Sequence, residues 1–126
     1  MRRVVVTGMG SISPFGKGVD ILMDALMANR SAIIAVPELA DIGSLRTRVA
    51  ALVTGVDPKE IPRKFRRSMS KMSVYATLAS QEAITMSRIT EEHCSSGQMG
   101  VSIGSTVGSP IATHGFYEDF LRSNTL

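Results

Sequence analysis

The sequence predicts an α/β layered fold. Three observations carry that prediction: a β-branched run near the N-terminus, an amphipathic helical pattern behind it, and strand-like and helix-like segments that keep alternating along the chain. Alternation of this kind builds sheets covered by helices, because each element has an apolar face that a neighbouring layer must cover.

In chain order, Arg3-Val4-Val5-Val6-Thr7 ends at Gly8-Met9-Gly10 and reads as a buried strand stopped by a tight turn. Ser11 to Gly18 holds Pro14 and further glycines and reads as loop. From Val19 to Ala28 the apolar positions Val19, Leu22, Met23, Leu26 and Met27 recur at helical spacing, with Asp20 and Asp24 on another face. Asn29-Arg30-Ser31 closes that helix. Residues 32 to 47 have no regular pattern. Arg48 to Val53 is a candidate second strand bounded by Gly55. Asp57-Pro58-Lys59-Glu60 then places a capping residue, a proline and a glutamate as the start of a helical turn requires.

Met69 to Met86 has no glycine or proline, and its only charged residues are Lys71 and Glu82. Ser73, Ala76, Thr77, Ala79, Ser80 and Ala83 spread small side chains around the helix. Two readings stay open, a helix packed on several sides and a partly exposed alanine-rich one; the scarcity of charge favours the first. A chain of 126 residues encloses such a helix poorly by itself, so the pattern points to further layers. Thr90 to Gly97 is a polar connection, Met99 to Gly104 a glycine-containing strand, and Phe116 to Arg122 a helix.

Several function classes are excluded. No apolar run suits a signal peptide or a membrane span, so the expected compartment is the cytoplasm. A single cysteine, Cys94, leaves no disulfide framework and no multi-cysteine metal site, and His93 and His114 are isolated. No metal and no cofactor are expected. A net charge of +3, from 14 basic and 11 acidic residues, is too mild to indicate nucleic acid.

Three motifs need weighing. Gly8-Met9-Gly10-Ser11-Ile12-Ser13 follows a strand and approaches the dinucleotide fingerprint, but Ser13 stands where glycine or alanine is needed and Pro14-Phe15-Gly16 interrupts the required helix. Cys94 follows Glu91-Glu92-His93, and carboxylates so close disfavour a thiolate, so it reads as an inert surface thiol. Arg63-Lys64-Phe65-Arg66-Arg67-Ser68, with Lys71 after it, falls where the long helix is expected to start. A helix dipole disfavours cations there by a few tenths of a kcal/mol each, up to roughly 1. The run is either poised for an acidic partner or a solvated basic end.

Taken together, four stretches resemble beta-ketoacyl synthases. Arg2 to Gly16 resembles their opening strand and loop, and Asn29-Arg30-Ser31-Ala32-Ile33 the turn closing their first helix. Arg67 to Ala76 with Gln81-Glu82-Ala83-Ile84 resembles their long central helix. Gly100 to Pro110 resembles the strand and glycine-rich segment after it. The resemblance implies that residues 1–126 are the N-terminal part of a thiolase-like αβαβα layered fold, an incomplete domain.

In this family a cysteine takes up the acyl group, a malonyl unit on acyl carrier protein loses carbon dioxide, and the resulting carbanion attacks the acyl thioester. The family's cysteine and its two histidines map to no residue here, so no catalytic residue is assigned. Lys64 and Arg67 match positions that contact acyl carrier protein, and Val107 matches a position shaping the acyl pocket. Ser68 and Ser70 depart from the family, whose members often carry a basic and an acidic residue there. Expected partners are acyl carrier protein and an acyl thioester substrate, with a homodimer or synthase heterodimer in the complete parent. The alternative is a non-catalytic module that docks carrier protein or pairs with a synthase.

Overall fold

The computed structural model describes residues 3–123; Met1, Arg2 and residues 124–126, which the 1–126 domain and the Arg2-led motif include, lie outside the described residues. The chain forms two compact units, Met1–Asp57 with Leu78–Arg88 and Pro58–Thr77 with Ile89–Leu126.

In the first unit β1 (Ile12–Ser13) and β2 (Gly16–Lys17) make an antiparallel hairpin, with Ile12 opposite Lys17 and Ser13 opposite Gly16. The segment expected as loop therefore contains a small ladder. Ser13 is buried, and its Oγ donates to the Gly16 carbonyl and accepts from the Phe15 N–H, both at 3.3 Å. Helix α1 (Val19–Met27) follows, one residue shorter than expected. It ends in a Schellman arrangement. Asn29 adopts φ 49°, its N–H donates to the Leu26 carbonyl at 3.0 Å, and the Arg30 N–H donates to the Ala25 carbonyl at 2.9 Å.

Only part of the expected apolar face of α1 is covered. Ala25 is fully buried and Val19 and Leu22 are half-buried, whereas Met23, Leu26 and Met27 face solvent. Further along, β3 (Ile34–Ala35) pairs antiparallel with β4 (Val49–Ala50). The candidate strand at 48–53 thus forms over a short stretch. Its partner lies in a region without a readable pattern, next to a 3-10 turn at Pro37–Asp41 whose Leu39 carbonyl accepts from Arg48 Nη1.

Helix α3 (Lys71–Ser87) runs through both units, close to the expected Met69 to Met86. Val74 and Leu78 are buried, and most of the side chains between Met72 and Ala83 are at least half-buried, in agreement with packing on several sides. Its small residues matter in the first unit. A Cβ placed on Gly10 would collide with the Ala79 carbonyl oxygen, and one on Gly8 with that of Ala83. Glycine is therefore required there for the chain to lie directly on the helix backbone.

In the second unit a 3-10 turn at Pro58–Glu60 leads through buried Ile61 to α2 (Arg63–Arg66); α4 (Glu91–Ser95) and α5 (Pro110–Ser123) follow. The polar connection after Thr90 is thus partly helical, with Thr90 as its cap accepting from the His93 N–H. Helix α5 starts at Pro110, six residues before the expected Phe116. Pro110 suits a first helical position, whereas Gly115 weakens a helical reading of the sequence.

The expected strands at residues 3–7 and 99–104 are not formed. A β-branched run becomes a strand only when another backbone pairs with it, and among the described residues neither run has a ladder partner. Val4 and Val6 are 95% and 81% exposed, Val101 and Ile103 78% and 60%.

Candidate functional site

Ile61 is 2% exposed and anchors the chain just ahead of the basic segment. Pro62 precedes α2, and Arg67 closes it at φ −57°, ψ −34°. Arg63, Lys64, Phe65 and Arg67 are exposed while Arg66 is half-buried, its Nε shielded without a hydrogen-bond partner. Lys64 Nζ lies 4.6 Å from the centroid of the Phe65 ring, and Lys71 Nζ 6.0 Å from that of Tyr75. Such contacts hold a cation against its aromatic neighbour without neutralising it. Among the described residues no acidic side chain is paired with Lys64 or Arg67.

The electrostatic setting differs from the expected one. The basic run is not the start of the long helix: it forms its own single turn, and α3 begins at Lys71. Ser70 separates the two by capping α3, its Oγ accepting from the Ser73 N–H at 3.2 Å. A one-turn helix has little dipole, and the run spans its whole length, so the dipole neither favours nor disfavours these cations appreciably. Lys71 stands in the first turn of the long helix α3, where a dipole disfavours cations. The case for an acidic partner therefore rests on the density of exposed, unneutralised cations.

Lys64 and Arg67 lie about one helical turn apart along the same short segment. Val107 belongs to a different segment of the same unit, the loop ahead of α5, and is 73% exposed. Gly108 after it adopts φ 73°, which redirects the chain into the helix. A pocket for an acyl chain needs apolar walls on several sides, and Val107 supplies one wall at most.

The glycine-rich loop is not a phosphate cradle. The backbone donors that would receive a phosphate are taken by the chain itself: the Val19 N–H at the start of α1 donates to Glu82 Oε1 at 2.8 Å, and the Ser11 N–H donates to Glu82 Oε2 at 2.9 Å. The sequence shows Glu82 as a rare charge in α3 and as part of the Gln81 to Ile84 stretch, and neither by itself reveals this role. Two signals were available: a lone acid among small residues, and Gly18, which offers α1 no side-chain cap.

Two open hollows hold no catalytic pair. One of about 500 Å³ in the first unit is lined by Lys17, Leu78, Gln81, Glu82, Thr85 and Met86, with the Thr85 hydroxyl donating to the Gln81 carbonyl at 2.8 Å. One of about 290 Å³ in the second is lined by Ile89, His93, Ser96, Gln98 and Met99. His93 Nδ1 lies 2.7 Å from Thr90 Oγ1, and Cys94 beside it is a free, exposed thiol. His114 Nδ1 lies 3.5 Å from Glu118 on the surface of α5. Among the described residues no group of three or more His, Cys, Asp or Glu is placed to hold a metal ion, and no helix is long and apolar enough to cross a membrane.

Residues 1–124 match the family model described as beta-ketoacyl synthase, N-terminal domain. The chain is 36% identical over 109 residues to 3-oxoacyl-acyl-carrier-protein synthase 1 of Haemophilus influenzae, covering 86% of this chain and 27% of that protein. It is 37% identical over 108 residues to 3-oxoacyl-acyl-carrier-protein synthase 2 of Vibrio cholerae, covering 85% and 26%. Among solved structures it superposes on a beta-ketoacyl synthase from Burkholderia phymatum with a TM-score of 0.82 at 38% identity, over 99% of this chain and 31% of that one. The ishigamide ketosynthase/chain length factor gives a TM-score of 0.70 at 26% identity, over 98% and 30%. The chain thus spans about a quarter of the length of the curated relatives it matches.

Proposed function

The chain belongs to the beta-ketoacyl synthase family, through its N-terminal domain, and from that premise we propose that it is part of a condensing enzyme that joins an acyl thioester to a malonyl unit on acyl carrier protein. The fold is thiolase-like, as in the synthases it superposes on. The observation that carries the reading is the match of residues 1–124 to the domain, in relatives whose names specify 3-oxoacyl-acyl-carrier-protein synthesis. In our reading residues 1–126 form one incomplete domain of a cytoplasmic parent.

Within that enzyme the segment's work is recognition. Lys64 and Arg67 are proposed to meet the acidic surface of acyl carrier protein, and Val107 to form one wall of the acyl pocket. Unneutralised cations on an exposed turn support the first assignment. Chemistry needs a thiolate to carry the acyl group and bases to assist loss of carbon dioxide; the carbanion then displaces the thiolate from the acyl carbon. Cys94 is exposed in α4 and its neighbour His93 turns Nδ1 to Thr90, and neither is assigned a part in this step.

The isolated 126-residue chain, incubated with acyl and malonyl carrier protein, is expected to give no product above a no-enzyme control. Product that disappears in a Cys94→Ala variant would overturn this division of labour. A second reading, a non-catalytic module that docks carrier protein or pairs with a synthase, draws on the likeness to the ketosynthase/chain length factor. The coding sequence downstream of Leu126 separates the two: an open frame leading to a cysteine and two histidines supports the enzyme, a stop codon the module.

A further inference from the structure

Helix α1 has an unusual beginning. Gly18 stands at its N-cap with φ 120° and ψ 143°, a conformation that L side chains rarely adopt, so no residue there can supply the side-chain oxygen that a helix start ordinarily uses. The orphan donor is satisfied from a distance. The Val19 N–H donates to Glu82 Oε1 at 2.8 Å across 63 positions of sequence. The other oxygen of the same carboxylate accepts from the Ser11 N–H at 2.9 Å, and the Gly18 N–H donates to the Ser11 carbonyl at 2.8 Å. Both ends of the hairpin-bearing loop are therefore tied to one side chain.

The surroundings leave little room for another solution. Gly8 and Gly10 lie against the backbone carbonyls of Ala83 and Ala79, which flank Glu82, and the Met9 N–H points to Met86 Sδ at 3.3 Å. Both Glu82 oxygens face N–H donors. Glutamine would turn an NH₂ group toward one of them, donor against donor, and aspartate is a methylene shorter.

We propose that Glu82 is a positioning residue: its carboxylate is the remote N-cap of α1 and the clasp that closes residues 11–19 onto α3. The hairpin and the start of α1 keep their place only while a carboxylate is present. This inference does not depend on the condensing reading, and its test measures amide exchange, not activity.

Hydrogen exchange on the protein expressed from its full coding sequence, wild type against Glu82→Gln and Glu82→Ala, tests it. The peptide covering residues 11–19 should exchange about tenfold faster or more in both variants, as loss of charge-assisted bonds to backbone donors implies, while the Lys71–Thr77 part of α3 keeps its wild-type rate. Added formate should restore protection of residues 11–19 in Glu82→Ala, where the carboxylate's space is vacant, and much less in Glu82→Gln, where the amide fills it. Wild-type exchange in the glutamine variant would overturn the proposal. So would a uniform loss of protection in the alanine variant that formate does not repair, because Glu82 would then be serving packing alone.

Discussion

Residues 8–19 and residues 99–109 are built from similar material, glycines and small polar residues around short apolar runs, and they end in opposite states. In the first, Gly8 and Gly10 sit against carbonyls of α3, and Ser11 and Val19 share a carboxylate. In the second, Gly100, Gly104 and Gly108 have open space where a side chain would go, and Val101, Ile103 and Val107 are exposed. Glycine carries no packing of its own. It acquires meaning when a backbone approaches, and only the first stretch has such a neighbour among the described residues.

The sharpest way to break this comparison is to add a methyl group to each region. Gly10→Ala must displace the Ala79 carbonyl, and overpacking of that kind costs about 1–3 kcal/mol. Gly104→Ala meets nothing and should stay within about 0.5 kcal/mol in the 126-residue chain. Urea denaturation followed by the helical circular dichroism signal measures both. Equal costs would show that residues 99–104 already have a packed neighbour. If Gly104→Ala is neutral in the chain yet costly in the complete parent, its neighbour comes from sequence beyond this segment.

The same contrast explains what the sequence made legible. Helix α1 is readable from its local apolar periodicity and α3 from a long run without glycine or proline, and Asn29-Arg30 marks the end of α1 through its own backbone bonds. The runs at 3–7 and 99–104 read as strands on side-chain type alone, and among the described residues no ladder partner realises them. The hairpin at 12–17 was too short for any alternation to show. Glu82 lies 71 and 63 positions from its partners, a distance no local pattern spans. Lys64 and Arg67 are visible as charge, while the break between their turn and α3 rests on the Ser70 cap, which the surrounding pattern does not mark.

That cap sharpens the comparison from the other end of α3. Ser70→Ala should destabilise the start of the helix by about 1 kcal/mol, the usual cost of a lost N-cap oxygen. Ser70→Asp should recover it, since an aspartate oxygen can accept from the same Ser73 N–H and suits a helix N-terminus. Exchange of the Ser73 amide reports the effect directly. An unchanged rate in Ser70→Ala would mean that the Ser70 hydroxyl is incidental and that α2 and α3 are separated by something else.

The smallest effect on stability, and the one that bears on function, belongs to the basic turn. Lys64 and Arg67 are exposed and have no acidic partner among the described residues, so reversing them should leave the melting transition nearly unchanged. If they meet carrier protein as proposed, their consequence lies in encounter. An exposed charge pair is worth about 0.2–1 kcal/mol, and replacing two attractions by two repulsions should raise the Michaelis constant for carrier-linked substrate by about tenfold at low salt. Such charges act mainly on association rate, and a Debye length of about 10 Å at 0.1 M salt, falling to about 3 Å at 1 M, should shrink the difference. In the complete parent, Lys64→Glu with Arg67→Glu is therefore expected to impair reaction with carrier protein and to spare a small thioester mimic. Equal losses on both substrates would remove the docking role, because a charge that steers a protein partner has no hold on a small neutral thioester.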